Sequence, residues 1–388
     1  MSSVETEVAV IGGGVVGCAV AHALARRGVE PLLLEAEPAL ALGASGTNSG
    51  ILHTGFDSAP GELETSLILR SAQLRDELLE ELGVAVWRCG ARLQANSGEE
   101  LLAVRRLAEN ARANSVEAHL DPDGTLTVPG ESVTDPVAFV HALAGAAQAA
   151  GAVVRLDARV SGLEQANRSG LALELASGER LRARAAINCA GLFADEVARL
   201  ACEDPVSIYP RKGEFLVFSA PERESLEQIL LPVPSALGKG VLVFPTIDRL
   251  ILAGPTARER EDKRDWSVEA DAAELILARA LRMYPPLEHA EQVGAYAGLR
   301  PAGRNANYVI EGSRTLPGLI HVAAIRSTGL SASLGIGEHV VEMLAEQAAV
   351  ELDRTRPLPA PAPRPATPRW WERAARHHGT PAPRQTMR

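Results

Sequence analysis

Residues 8–35 constrain the fold more than any other stretch. Residues 8–11 are an apolar run that ends in Gly12-Gly13-Gly14. A helical pattern follows over 15–27, and Gly28 stops it. A second apolar run, Leu32–Leu34, ends at Glu35. Strand, glycine turn, helix and strand form a βαβ unit, and Gly12, Gly14 and Gly17 place G-x-G-x-x-G at its turn. Gly12 permits the tight turn, Gly14 admits a pyrophosphate to the backbone, and Gly17 lets helix and strand pack closely. The helix N-terminus adds unpaired N–H groups and a positive dipole for the phosphates. Glu35 stands where a carboxylate accepts from ribose hydroxyls, and it would repel a 2′-phosphate. A dinucleotide other than NADP is the implied ligand.

The later chain returns to this grammar twice. Residues 44–57 are rich in Gly, Ser, Thr and Asn and read as a functional loop. Helices are expected over 63–82 and 101–114, and over 136–150 with Asp135 as N-cap and Pro136 at the first position. Strands are expected at 153–156, 160–164, Leu171–Leu175 and 181–188, the last leading through Cys189-Ala190-Gly191 into a helix over Ala194–Leu200. Between 209 and 296 strands dominate, clearest at 215–218, 241–244 and 250–252, around one helix, Ala270–Met283. A strand at 319–324, a polar turn at 326–331 and a helix over 332–346 close the pattern. The expected fold is α/β, with a discontinuous Rossmann-like domain from 1–60, 134–205 and 296–350. A mainly antiparallel substrate or cap domain is inserted as 61–133 and 206–295. A fingerprint that opens the chain, and a sheet completed by two later returns, favour bound FAD over NAD. Residues 351–388 form a proline-rich basic tail, expected to be disordered, in which only Trp370-Trp371 could dock.

Charge narrows the partners. The net charge is −10, yet from Asp353 onward eight arginines face Asp353 and Glu372, a net of +6 that leaves −16 on the body. So acidic a body argues against nucleic acid as a partner. An anionic substrate would therefore need a local cluster of cations. Cys18, Cys89, Cys189 and Cys202 include no C-x-x-C pair, which leaves zinc ribbon, thioredoxin-type and iron–sulfur modules unsupported, and no metal site is expected. Cys18 and Cys189 lie in apolar runs and read as small core residues. No signal peptide and no apolar run long enough to span a bilayer is visible, so a cytoplasmic location is expected, with peripheral membrane contact open to the basic tail.

Four further stretches carry a family resemblance. They are Gly46-Thr47-Asn48-Ser49-Gly50-Ile51-Leu52-His53-Thr54-Gly55-Phe56-Asp57, Arg211-Lys212-Gly213-Glu214, Gly238-Lys239-Gly240-Val241 with Gly254-Pro255-Thr256, and Arg326-Ser327-Thr328-Gly329-Leu330-Ser331-Ala332-Ser333. Over roughly 5–344 the chain resembles the FAD-dependent glycerol-3-phosphate oxidases and dehydrogenases of the glycine/D-amino-acid oxidase superfamily. The L-2-hydroxyglutarate oxidases share a similar N-S-G-x-x-H segment.

The resemblance implies that His53 takes the hydroxyl proton of a substrate while the carbon-bound hydride passes to the flavin. Imidazole titrates near neutrality, which suits that task. Lys239 and Arg300 match substrate-contact positions, and Ser49 and Ser327 match positions touching substrate or flavin. Val16, Ala44, Ser45, Gly50 and Ile51 match FAD contacts, and Ala190 and Gly191 are counted with them. Val160 is expected at the adenine through its backbone. The turn Ile325, Arg326, Gly329, Leu330 and Ser331 should aim amides at the flavin ring, where N–H groups stabilise the anionic reduced form. Some relatives have Lys-Ser-Pro-Gly at this turn and continue into a cysteine-rich domain, so oxygen, a quinone and a partner protein all stay open as electron acceptor. Oxidation of glycerol 3-phosphate leads, a 2-hydroxy acid such as L-2-hydroxyglutarate is the runner-up, and a non-catalytic FAD-holding subunit is a third reading.

Overall fold

A computed structural model describes residues 4–166, 170–221, 224–234, 240–347, 350–361 and 369–379. β1 (Val4–Ile11), α1 (Val15–Arg26) and β2 (Leu32–Leu34) form the expected unit. The strands are parallel, with Ala9, Val10 and Ile11 opposite Leu32, Leu33 and Leu34. Arg180–Asn188 lies parallel on the other side of β1, and Val153–Arg155 lies outside β2. Two partners share the outer edge of Arg180–Asn188. Its first half pairs antiparallel with Leu171–Leu175, and its last residues pair parallel with Leu319–Ala323. Val8, Ala9 and Val10 are fully buried, as a strand covered on both faces requires. α1 packs against the helices Pro136–Ala149 and Gly329–Gln347. Close approach is possible because Gly337 is bare: a Cβ there would sit 2.8 Å from the Ala19 carbonyl oxygen.

The second sheet is built around one long antiparallel pair, Ile208–Ser219 with Glu291–Gly303, which places Arg211 opposite Arg300. Ile251–Gly254 and Leu242–Pro245 extend it antiparallel, and Ile229–Leu230 joins it in parallel to Ala91–Gln94. Sheet membership and helix packing each bear on one expected boundary. Glu291–Gly303 runs through residue 296 and stays in the second sheet throughout. α2 (Leu63–Glu81), expected in the cap, packs instead on Gly329–Gln347. Gly335 allows this, since a Cβ there would lie 2.4 Å from the Leu67 carbonyl oxygen.

A third sheet is small and decisive for the site. Ile51–Leu52 pairs antiparallel with Ser132–Thr134, Leu52 opposite Ser132, so the next step of the register brings His53 beside Glu131.

Two further expectations are corrected. The last helix starts at Gly329, not 332, because the Ser333 hydroxyl bonds the Leu330 carbonyl (3.0 Å) and the Ala332 amide the Thr328 carbonyl (2.9 Å). Polar composition alone made a buried first turn look like loop. The tail is also not disordered where it is described. The Asp353 and Arg356 amides donate to the Arg27 and Arg26 carbonyls at the end of α1 (2.8 and 2.9 Å). Trp370 and Trp371 are 2% and 4% exposed, and Trp371 opens a helix to His377. Trp371 stacks on Tyr296, which stacks on Phe215, with centroids 5.5 and 4.9 Å apart. Burial of two indoles outweighs the proline-rich approach to them. The pair thus faces the protein, not a membrane surface. Among the described residues no helix is long and apolar enough to cross a membrane, and no His, Cys, Asp and Glu cluster could hold a metal.

Candidate active site

One cavity of about 1010 Å³ runs from the glycine turn to the second sheet. Gly12, Gly14, Val16 and Glu35 line one end. Gly12 has φ +112°, and a Cβ on it would lie 2.4 Å from the Cys189 carbonyl oxygen. Above Gly14 the nearest atom to an added Cβ is Ser45 Oγ at 3.2 Å, so a ligand can approach the backbone there. Gly17 does not line the cavity. Its place is structural, with a Cβ 1.9 Å from the Gly12 carbonyl oxygen. α1 has no acidic residue in its first turn, and the Val15 amide donates to Ser45 Oγ (2.9 Å). Glu35 accepts from the Gly13 and Glu37 amides (2.6 and 2.9 Å), which oppose the rise in its pKa caused by burial. Ala44, Val160, Ala190 and Gly191 also reach this end.

The tail supplies a wall the sequence did not announce. His377 and His378 line the same cavity. His377 Nε2 is 2.9 Å from Glu37 Oε2, and His378 Nε2 is 2.8 Å from the Leu42 carbonyl. The His378 ring lies flat on Trp266, centroids 4.0 Å apart, and burial lowers its pKa. Trp370 Nε1 donates to the Asn48 carbonyl (3.3 Å), which ties the tail to the loop before His53.

His53, Ser49 and Ile51 also line the cavity, whereas Gly50 does not: its φ is +79°, and a Cβ on it would lie 2.4 Å from the Thr134 carbonyl oxygen. His53 Nδ1 is 2.8 Å from Glu131 Oε2. The other oxygen of Glu131 accepts from the Thr54 amide (2.7 Å) and hydroxyl (2.8 Å). Behind the ring, the His53 amide donates to Ser331 Oγ (2.8 Å) and Arg75 Nη1 donates to the His53 carbonyl (3.0 Å). Ser331 therefore supports His53 and is not among the cavity-lining residues. The rest of its turn is, including Ile325, Arg326, Ser327, Gly329 and Leu330. Thr328 is held there by Tyr308 and Glu64.

At the far end Arg211, Arg300 and Arg326 line the cavity together. Arg300 Nε donates to the Arg211 carbonyl (2.9 Å), and Nη2 to those of Lys212 (3.2 Å) and Thr256 (2.7 Å). Gly213 lets the guanidinium cross the strand, since a Cβ there would lie 2.8 Å from Nη2. Burial, then the charges of Arg211 and Arg326, lower the Arg300 pKa to about 10. Among the described residues none of the three has an acidic partner within ion-pair distance. Lys212, next in sequence, is instead fully buried against Asp265 (2.9 Å) and Glu269 (3.4 Å). Lys239 lies outside the described residues.

These features agree with the comparisons. A family model described as FAD dependent oxidoreductase matches residues 7–343. The chain belongs to this family. It is an oxidoreductase whose cofactor is FAD, and the open backbone at Gly14, the α1 N-terminus and Glu35 fit such a dinucleotide. The chain is similar to the glycerol 3-phosphate dehydrogenase of Caloramator mitchellensis, 29% identical over 354 residues that cover 87% of this chain and 73% of that protein. It is also similar to the L-2-hydroxyglutarate dehydrogenase of Escherichia coli (strain K12), 28% identical over 298 residues covering 70% of each. Its fold matches L-alpha-glycerophosphate oxidase from Mycoplasma pneumoniae with FAD bound, with a TM-score of 0.85, 24% identity, and 95% of this chain and 100% of that one covered.

Proposed function

We propose that this enzyme oxidises a small anionic alcohol, with sn-glycerol 3-phosphate, converted to dihydroxyacetone phosphate, as the first choice. The observation that carries this reading is the arginine cluster, three guanidinium groups without acidic partners among the described residues, on the cavity that His53 also lines. Like charges gather at such a cost only where an anion offsets them, and a protein of net charge −10 must concentrate cations locally to hold one. Guanidinium forks suit phosphate and carboxylate oxygens alike. Arg211, Arg300 and Arg326 bind the anion, with Lys239 as a further cation. His53 accepts the hydroxyl proton. FAD, when bound, would supply the acceptor for the hydride of the carbinol carbon. Gly12, Gly14 and the α1 N-terminus would hold its pyrophosphate, Glu35 its ribose and the 325–330 turn its ring.

A second reading is L-2-hydroxyglutarate. The opposed Arg211 and Arg300 could each take a carboxylate. Anaerobic bleaching of the flavin by glycerol 3-phosphate, glycerol, L-2-hydroxyglutarate and amino acids tests both. Glycerol 3-phosphate should bleach fastest, and faster bleaching by L-2-hydroxyglutarate would replace the first choice. Reoxidation in air then separates oxygen from a quinone or protein acceptor. Turnover with an artificial dye separates an enzyme from a cofactor-holding subunit.

A further inference from the structure

Glu131 stands outside every motif read from the sequence, yet it grips the ring on which the proposed chemistry turns. It is 0% exposed. A carboxylate is tolerated at that depth only when its lone pairs are taken. Here Oε2 meets His53 Nδ1, and Oε1 meets both donors of Thr54. The pairing is a consequence of register, since Leu52 opposite Ser132 sets the next residues side by side. Together with Ser331 and Arg75 on the His53 backbone, these contacts fix the ring from behind and leave Nε2 on the edge away from Glu131.

We propose that Glu131 is the positioning residue for His53. Resting on the reading of His53 as proton acceptor, it fixes the neutral ring with its proton on Nδ1, so that Nε2 carries the lone pair. In the reaction the substrate O–H bond breaks and an Nε2–H bond forms as the hydride leaves carbon for the bound FAD. The imidazolium that results is paired with the Glu131 carboxylate, which lowers the energy of that charge. Among the described residues, Arg75 donates to the His53 carbonyl, and Asp57, Glu62, Glu64 and the three arginines line the same cavity. None of them is hydrogen-bonded to Nδ1 in this structure.

The competing account is that Glu131 only pins the strand end through Thr54. Glu131→Gln separates the two, because the amide keeps the size and can still accept from Thr54 while the charge is lost. Removing that charge makes the imidazolium harder to form, so the acidic limb of the pH profile should move to lower pH. In anaerobic stopped-flow with the holoenzyme, flavin reduction near neutrality should slow on the order of 10²-fold. The limb should shift down by about one pH unit. FAD content should stay near that of the wild type, and Glu131→Asp should recover part of the rate with the limb close to its original place. Loss that is equal at every pH, with an unmoved limb, would overturn the proposal in favour of the strand pin, as would no loss at all. Should the Gln variant fail to fold, ¹⁵N-histidine spectra of the wild-type holoenzyme decide it. Neutral His53 protonated at Nδ1 supports the proposal, and protonation at Nε2 overturns it. That spectrum also stands if no substrate in the panel bleaches the flavin, an outcome that would sink the substrate reading alone.

Discussion

The two ends of the cavity are built by different means. At the glycine-turn end, backbone does much of the work: the 12–14 turn and the 44–45 stretch folded onto α1 by Ser45 lie close together in sequence, and Glu35, residues 160 and 190–191 and the tail histidines complete the lining. At the second-sheet end, side chains do it: Arg211, Arg300 and Arg326 line the cavity that His53 also lines, and Glu131, from a fourth element, holds the His53 ring. A backbone cradle tolerates many side chains but few departures from glycine. A side-chain chamber fails one residue at a time. Substitutions should therefore affect chemistry and cofactor retention separately.

The largest effect should come from His53→Asn. Flavin reduction should slow by roughly 10² to 10⁴, the usual worth of a positioned base, while bound FAD is unchanged. Unchanged reduction would make His53 a structural residue and remove the contrast between the two ends. Trp371→Ala tests the opposite end. It deletes an indole 4% exposed from the stack on Tyr296 and should cost roughly 3–5 kcal/mol of stability. FAD should also dissociate faster, because the His377–His378 wall hangs on that helix. An unaltered dissociation rate would show that the wall does not retain the cofactor. Arg211→Ala and Arg300→Ala should each weaken substrate binding by roughly 1.5–3 kcal/mol, with a loss larger for glycerol 3-phosphate than for glycerol. Equal losses for the two ligands would mean that the arginines hold no anion. A double variant should lose less than the sum if both grip one group.

The smallest effect is a pH dependence in the nucleotide half. His22 on α1 is 3% exposed, makes no hydrogen bond to another described residue, and is pushed by burial down to a pKa of about 3. The unfolded chain binds a proton near pH 6.5 that the folded one refuses. Stability is therefore fully present above about pH 6.5 and is lost progressively as pH falls toward 3. At pH 5.5 the loss should be on the order of 1 kcal/mol. The thermal midpoint of His22→Leu should fall less than that of the wild type between neutral pH and 5.5, and parallel curves would refute the assignment.

The same division explains what could be read in advance. The βαβ unit, the Asp135-Pro136 helix start and the helices Ala194–Leu200 and Ala270–Met283 follow from local pattern, and they stand where pattern put them. His53 and Arg300 were visible as motif residues, and the structure brings both to the cavity. Glu131 was not, because its role depends on pairing between strands of two and three residues, too short to show a period. Arg211 sat inside a quoted stretch, but nothing local says that it faces the cavity while Lys212 turns into the protein. The docked tail was hidden for a third reason. Its prolines spoke for an unpacked segment, whereas Gly294, whose Cβ would lie 2.3 Å from the Trp371 ring, opens the slot that receives it.

That docked helix also sets an order of events during biosynthesis. A chain leaves the ribosome from its N-terminus, and domains can fold as they emerge. The glycine turn therefore emerges well before Trp370, Trp371, His377 and His378, which are among the last of the described residues. Until they arrive, the groove beside Glu37 and Leu42 has a missing side, and the Asn48 carbonyl lacks its indole donor. The nascent enzyme therefore passes through a stage in which the nucleotide fold can already be formed and its cavity is still open along one flank.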